Sequence, residues 1–276
     1  MARRSSRPAL GRSIIVDNRP GAAGIIGAAI AAKSPADGYT IVAVNQGTLA
    51  FSPFLYSKPG YDALKDFAPI ARVLHGSMVL AVNTETPANT LIDLLKIAKS
   101  QPGKLSNGTA GVGSPPYMAG ELFRCIAGVV VILVPFQAGN FAVTDLVAGR
   151  VTYTIDGIGI TLPHVKSGKL RMLAVSGPKR MPQIPDVPTF AEAGLPDYAY
   201  DTWSGVCAPV GTPPEIVSRL AAEIAKIMAT PEGRESVLAL GWEPFLSDTP
   251  EAFAAYVKAE YAKWGDFIRQ AGMMID

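Results

Sequence analysis

Short apolar runs, each closed by turn residues and followed by a stretch of helical spacing, recur along most of this chain and restrict it to an α/β fold. Ser13–Val16, Thr40–Asn45 and Met78–Asn83 have this strand character, as do Val129–Val134, Thr152–Asp156 and Leu170–Ser176. Helical stretches lie between them near residues 22–33, 89–100, 115–127 and 140–148. Near-continuous apolar strands separated by helices predict a parallel sheet covered on both faces. The last third is different. Within residues 213–229, Ile216, Leu220, Ile224 and Met228 mark one helical face. A closing helix is predicted from about Pro250 to Gln270, with Thr249 as N-cap, Pro250 in the first position, and Phe253, Val257, Tyr261, Trp264 and Ile268 facing the core.

With 276 residues, 49% of them hydrophobic and 17% charged, the chain can bury the core of one large domain or two ordinary ones. Turn-rich stretches at Gly177–Pro188 and Ala208–Pro214 punctuate its second half. These breaks predict two α/β lobes, with residues 1–103 and 206–276 in lobe 1 and residues 104–205 in lobe 2. The chain then crosses twice between lobes, which suits a hinged cleft.

Several function classes are excluded. A formal net charge of +2 gives no clustered basic face for nucleic acid. The one cluster, Arg3, Arg4 and Arg7, reads as a solvated tail. The longest apolar run, Ile126–Val134, is far short of the about 20 residues a membrane span needs and is expected to be a buried strand. No apolar segment follows the basic start, so that stretch is not expected to be a complete secretory signal. Cys125 and Cys207 make neither a disulfide framework nor a zinc site, and both are expected to be buried and inert. His75 and His164 read as surface or helix-end residues. No nucleophile elbow, Walker loop or zinc motif occurs, so the expectation is no catalysis, no metal and no cofactor.

What the chain does offer is turns of small and hydroxyl residues after strands. In Thr109-Ala110-Gly111-Val112-Gly113-Ser114-Pro115, Ser114 can cap a helix that Pro115 opens, and the glycines let backbone N–H groups approach a ligand. A helix N-terminus favours an anion without an arginine. Because Pro116 removes a further donor, the N–H groups of Gly113, Ser114 and Tyr117 are the expected contacts. Asn45-Gln46-Gly47-Thr48 and Phe136-Gln137-Ala138-Gly139 are similar turns, and all three are expected to converge on one crevice at the strands' carboxyl ends. Asp156 would point there too, repelling an acidic ligand unless it binds an amino group, a hydroxyl or a water.

The order of these segments resembles the Bug/TctC family, the receptors of tripartite tricarboxylate transporters. The likeness rests on V-D-N-R-P-G-A-A-G at 16–24, A-D-G-Y-T at 36–40, N-Q-G-T-L-A at 45–50 and Y-D-A-L-K-D-F-A-P-I at 61–70. It continues with A-G-V-G-S-P at 110–115, G-E-L-F at 120–123, V-P-F-Q-A-G at 134–139 and L-P-H-V-K-S-G-K-L-R at 162–171. P-D-V-P-T-F-A-E-A-G at 185–194 and A-P-V-G-T-P at 208–213 complete it. The resemblance implies a two-lobed periplasmic binding protein of the type II kind, monomeric, that closes on a small carboxylate or acidic amino acid and docks transiently on transporter membrane components. By position it implies a site at Gln46, Gly47, Thr48, Thr109, Gly111, Gly113, Ser114, Tyr117, Gln137, Ala138, Gly139 and Asp156.

There are departures from the family pattern. The chain starts after the usual first strand and Gly-rich loop, with Met1–Gly11 standing where part of the first helix would be, so lobe 1 is expected to lack its first strand. Tyr117 stands where many relatives carry histidine, Phe136 where tyrosine is common, and Gln137-Ala138 where Lys-Gly is usual. A less polar pocket, preferring a ligand with an apolar or aromatic body to citrate, is the expectation. The alternatives are a truncated or cytosolic relative acting as a sensor, or a small-acid hydrolase or isomerase using Ser114, Asp156 or Cys125.

Overall fold

The computed structural model describes residues 10–11, 13–246 and 248–274. Arg3, Arg4 and Arg7, and most of Met1–Gly11, lie outside the described residues. In chain order the elements are α1 (Ile25–Ala32), β1 (Val42–Asn45), α2 (Ser52–Leu55), β2 (Phe67–Asn83), α3 (Leu91–Ser100), β3 (Ser106–Thr109), α4 (Pro115–Ala127), β4 (Ile132–Pro135) and α5 (Gly139–Val147). They continue with β5 (Tyr153–Gly157), α6 (Ile158–Lys166), β6 (Leu170–Val175), β7 (Asp201–Pro209), α7 (Pro214–Ala229), α8 (Pro231–Leu238), β8 (Glu243–Pro244) and α9 (Pro250–Gln270).

The chain divides into two units. Unit 1 takes the residues through His75, Trp203–Ala239 and those from Glu243 on; unit 2 takes Gly76–Thr202 and Leu240–Trp242. The first passage between units falls inside β2, so residues 76–103, expected with lobe 1, group with unit 2. Only the second half of β2 is legible in the sequence, because Arg72, His75, Gly76 and Ser77 interrupt its apolar pattern.

In unit 1, β1 pairs antiparallel with β7, and the first part of β2 pairs with β8. Trp203, Phe253, Val257, Leu49 and Phe67 lie at the centre of its core. α9 spans the predicted residues, and the Thr249 hydroxyl accepts from the Ala252 N–H at 3.2 Å as its N-cap. Its Phe253, Val257, Trp264 and Ile268 are buried. The face of α7 is turned from the predicted one. Val217 and Ala221 are buried with Met228, while Leu220 and Ile224 pack at the margin. Small Ala221 lets this helix approach Ile70 and Ala71 of β2 closely. Ser13–Val16 is not a strand; the segment forms no ladder, and Ile15 and Val16 face outward.

In unit 2 the second part of β2 lies between β6 and β5, and β3 lies between β5 and β4. β3 runs parallel to β4 and β5, whereas β2 is antiparallel to β5 and β6. The predicted all-parallel sheet is therefore mixed, because β2 arrives from unit 1 and runs against the strand–helix units that follow. Val79, Val143, Leu146 and Val175 anchor the core. The run Ile126–Val134 is no buried strand. Its first residues end α4, Gly128 at φ 60° closes that helix, and Val130 and Ile132 on the edge strand β4 side are more than half exposed. Cys125, on the outer face of α4, is exposed, while Cys207 is buried as expected.

Candidate functional site

The parallel strands β3, β4 and β5 end on one edge of the unit 2 sheet, and each leads by a turn into a helix N-terminus. This arrangement collects backbone donors on one side of the sheet. The three termini differ in how much of that capacity the protein itself uses.

The first, α4, is largely spent. Thr109 is fully buried and its hydroxyl donates to the Ala110 carbonyl at 2.8 Å. Gly113 holds φ +79°, a conformation in which a side chain is strained, and its turn brings the Ser114 N–H to the Gly111 carbonyl at 2.9 Å. The Ser114 hydroxyl in turn accepts from the Tyr117 N–H at 3.3 Å. Of the three expected donors, two are thus committed within the turn, and the Gly113 N–H is the one left without a protein acceptor among the described residues. The Tyr117 side chain is half-buried on the first turn of α4.

The second, α5, is open. Its N-cap, Ala138, has no side chain able to cap it, and the Phe141 N–H turns back to the Ala138 carbonyl at 3.1 Å. The N–H groups of Gly139 and Asn140 have no protein acceptor among the described residues, so the positive end of the helix is unneutralised. Gln137 is exposed beside it. Phe136, two residues before the N-cap, is half-buried. Its ring packs on the unit 2 core and lies 3.5 Å from where a Cβ on Gly108 would stand.

Asp156 completes the arrangement. It sits near the end of β5, 6% exposed, with Oδ1 accepting from the Gly157 N–H at 2.7 Å. Oδ2 is buried and has no hydrogen-bond partner among the described residues. Burial pushes the carboxyl up to about 7, against which only the Gly157 N–H pulls down. The repulsion expected from this residue is therefore reduced at pH 7, where about half of the groups are protonated, and removed below about pH 6, since the neutral acid is a donor rather than a second anion. Gly139, the first residue of α5, packs on it so closely that a Cβ there would stand 2.3 Å from Oδ2. Gly139→Ala is expected to destabilise the protein by about 1–3 kcal/mol and to move the carboxyl, as denaturant unfolding and the Asp156 titration would show.

The third terminus, α6, is closed by its own unit. A Cβ on Gly159 would stand 2.3 Å from the Leu240 carbonyl oxygen, and one on Gly157 would meet the Trp242 ring at 2.9 Å. Sequence reasoning missed this cover, because Leu240–Trp242 joins unit 2 from far along the chain.

Gln46, Gly47 and Thr48 belong to unit 1 and their polar groups serve the fold there. Thr48 and Asn45 exchange hydrogen bonds, with Asn45 N–H to Thr48 Oγ1 at 3.0 Å and Thr48 N–H to Asn45 Oδ1 at 3.0 Å. The Tyr61 hydroxyl donates to the Thr48 carbonyl at 2.6 Å. Gln46 Nε2 donates at 2.5 Å to Glu260 Oε2, which also accepts from the indole N–H groups of Trp203 at 3.2 Å and Trp264 at 3.1 Å. Glu260 was missed, although it lies seven residues after Phe253 and four before Trp264, on the inward face of α9. A groove of about 1070 Å³ in unit 1, lined by Ile15, Ile30, Tyr39 and Ile216 among others, contains none of the candidate residues.

No group of three or more His, Cys, Asp or Glu residues able to hold a metal occurs among the described residues. Nor, among them, is any helix long and apolar enough to cross a membrane. Partial desolvation against α4, although the residue as a whole is exposed, raises the Cys125 thiol, so it is not activated as a nucleophile.

Two α/β lobes, one of them presenting an open helix terminus at its strand ends, define a solute-binding protein of the periplasmic type. The chain belongs to the TctC family, described as the tripartite tricarboxylate transporter family receptor, whose sequence model matches residues 1–273. Members of this family are solute-binding receptors, not enzymes. The chain is 38% identical over 266 residues to the UPF0065 protein in the tcbD-tcbE intergenic region of Pseudomonas sp. strain P51, covering 96% of this chain and 79% of that one. It is similar to the solved R. palustris Rpa4515 with adipate, at 34% identity and a TM-score of 0.92, covering 98% of this chain and 90% of that one. MatC (Rpa3494) from Rhodopseudomonas palustris with bound malate matches at 30% identity and a TM-score of 0.89, covering 97% and 92%.

Proposed function

We propose that this protein is a periplasmic receptor that captures a small carboxylate as a monomer and passes it to the membrane components of a tripartite tricarboxylate-type transporter. The observation that carries the ligand class is the open N-terminus of α5 beside the buried Asp156, which below about pH 7 is a hydrogen-bond donor. A helix terminus of about half a positive charge, two acceptor-less N–H groups and one acidic hydrogen suit a single carboxylate group. None of the candidate positions in unit 2 is a lysine or arginine. That favours mono- and dicarboxylates over citrate, whose three charges would need more compensation. The bound adipate and malate of the two solved relatives agree with this class. The Phe136 ring, half-buried against the unit 2 core, gives no separate argument for an aromatic-bodied ligand.

Calorimetry at pH 6 with adipate, malate, benzoate and citrate tests the reading. A micromolar dissociation constant, roughly −8 kcal/mol, is expected for at least one mono- or dicarboxylate. Citrate binding tighter than every other acid, or no acid binding at all, would reject it.

A further inference from the structure

The proposed site contains a buried oxygen that the protein leaves unmatched, and its surroundings define what would match it. Asp156 Oδ2 has no partner among the described residues and lies against the first residue of α5. The two acceptor-less N–H groups of Gly139 and Asn140 open that same helix, yet neither bonds the Asp156 carboxyl. An ionised carboxylate here would be buried with one oxygen unsolvated, next to donors that do not reach it. A neutral carboxyl would instead present an O–H with nowhere in the protein to donate. One ligand oxygen at the mouth of α5 satisfies both sets, accepting from the helix N–H groups and from the Asp156 hydroxyl.

We propose that Asp156 is a specificity-determining residue that binds the ligand as a neutral carboxylic acid, donating the hydrogen on Oδ2 to a carboxylate oxygen seated at the N-terminus of α5. This inference rests on the carboxylate reading of the site and deepens it. The two carboxyl groups share one proton, so the pair carries a single negative charge facing the helix terminus. No bond is made or broken other than to that proton. When the free protein is ionised at Asp156, capture of a carboxylate takes up one proton from solvent.

The neighbouring elements supply no charge that would do this instead. α5 carries Asp145, which pairs with Arg150, and α4, also packed on β5, carries Glu121 paired with Arg124. β5 itself carries the buried Tyr153, and α6 carries His164 and Lys166 in its last turn. The unit 2 part of β2, all of β3, and Leu240–Trp242 carry no titratable group. Burial and the Gly157 N–H are the influences on the Asp156 carboxyl.

The test is titration calorimetry of the full chain with adipate and with malate at pH 6, 7, 8 and 9, each in two buffers of different ionisation enthalpy. Both acids are fully ionised at pH 8 and 9, so a proton exchanged there belongs to the protein. Proton uptake should approach one per ligand at pH 8–9, and the dissociation constant should rise tenfold per pH unit there. Asp156→Asn retains a donor without a titrating proton; its affinity should be flat from pH 6 to 9, with no proton uptake. Wild-type binding with no proton exchange and a flat affinity would overturn the proposal while leaving the carboxylate reading intact. So would an Asn variant that keeps the wild-type pH dependence or no longer binds either acid. Failure of the wild type to bind any carboxylate at pH 6 would instead remove the reading beneath it.

Discussion

Asp156→Asn should make the ligand-free protein about 4 kcal/mol more stable at pH 9 and leave it nearly unchanged at pH 4. The carboxyl titrates at about 7 in the folded protein against a reference of 3.8. A raised acid pKa means that the folded state holds its proton more tightly than the unfolded one. The stability it confers is complete below about 4, declines as pH rises, and is gone above about 7, where the buried anion is fully formed. Asparagine cannot ionise and does not bear this cost. It still offers a side-chain oxygen to the Gly157 N–H, now at 2.7 Å from Asp156 Oδ1. Urea unfolding of both proteins at pH 4, 7 and 9 measures the effect. The wild-type curve should fall across the interval and the variant's should not; parallel curves would show that burial does not hold the proton on Asp156. The gain in stability and the loss of proton-linked capture come from one substitution, as expected where a site carries an unsatisfied group for its ligand.

This residue also shows where the sequence stops being informative. Its position at a strand end beside a glycine turn is legible, because Thr152–Asp156 alternates into a turn and the family pattern places it there. Its charge is not, because that depends on 94% burial created by α5 and its Gly139, seventeen residues earlier. The same division holds elsewhere. The bounds of α9 are read to the residue, since its cap, its proline and its apolar spacing are all local signals. Its inner face is not, because Glu260 is buried there and Tyr261 only half-buried. β2 is half-read, because one continuous strand serves two units and the polar residues at the passage break its pattern. Ser13–Val16 has strand composition but no ladder partner, and composition cannot supply one. The Ser114 turn was recognised as a helix cap, and it is one. Its donors were counted as available because the bond from the Ser114 N–H to Gly111 appears only once Gly113 is seen to turn through a positive φ.

Glu260→Ala should cost about 3–5 kcal/mol of stability. The carboxylate is 8% exposed, and one of its oxygens accepts from Gln46, Trp203 and Trp264 together. The nearest cation, Lys263, stands 3.8 Å from the other oxygen and is itself largely exposed, so neutral donors rather than an ion pair hold the charge. Removing the acceptor takes one shared partner from three buried N–H donors in three parts of unit 1: the turn after β1, the start of β7, and α9 itself. Glu260→Leu fills the space with apolar atoms and should lose nearly as much as alanine, because it restores no acceptor at the point where the three donors meet. Glu260→Gln keeps one carbonyl oxygen for them and should lose only about 1–2 kcal/mol. Denaturant unfolding ranks the three variants, and indole fluorescence reports whether Trp203 and Trp264 become wetter. A leucine variant as stable as wild type would mean that the donors find other partners. Glu260 would then be filling space between α9 and the Gln46 turn, not holding them together.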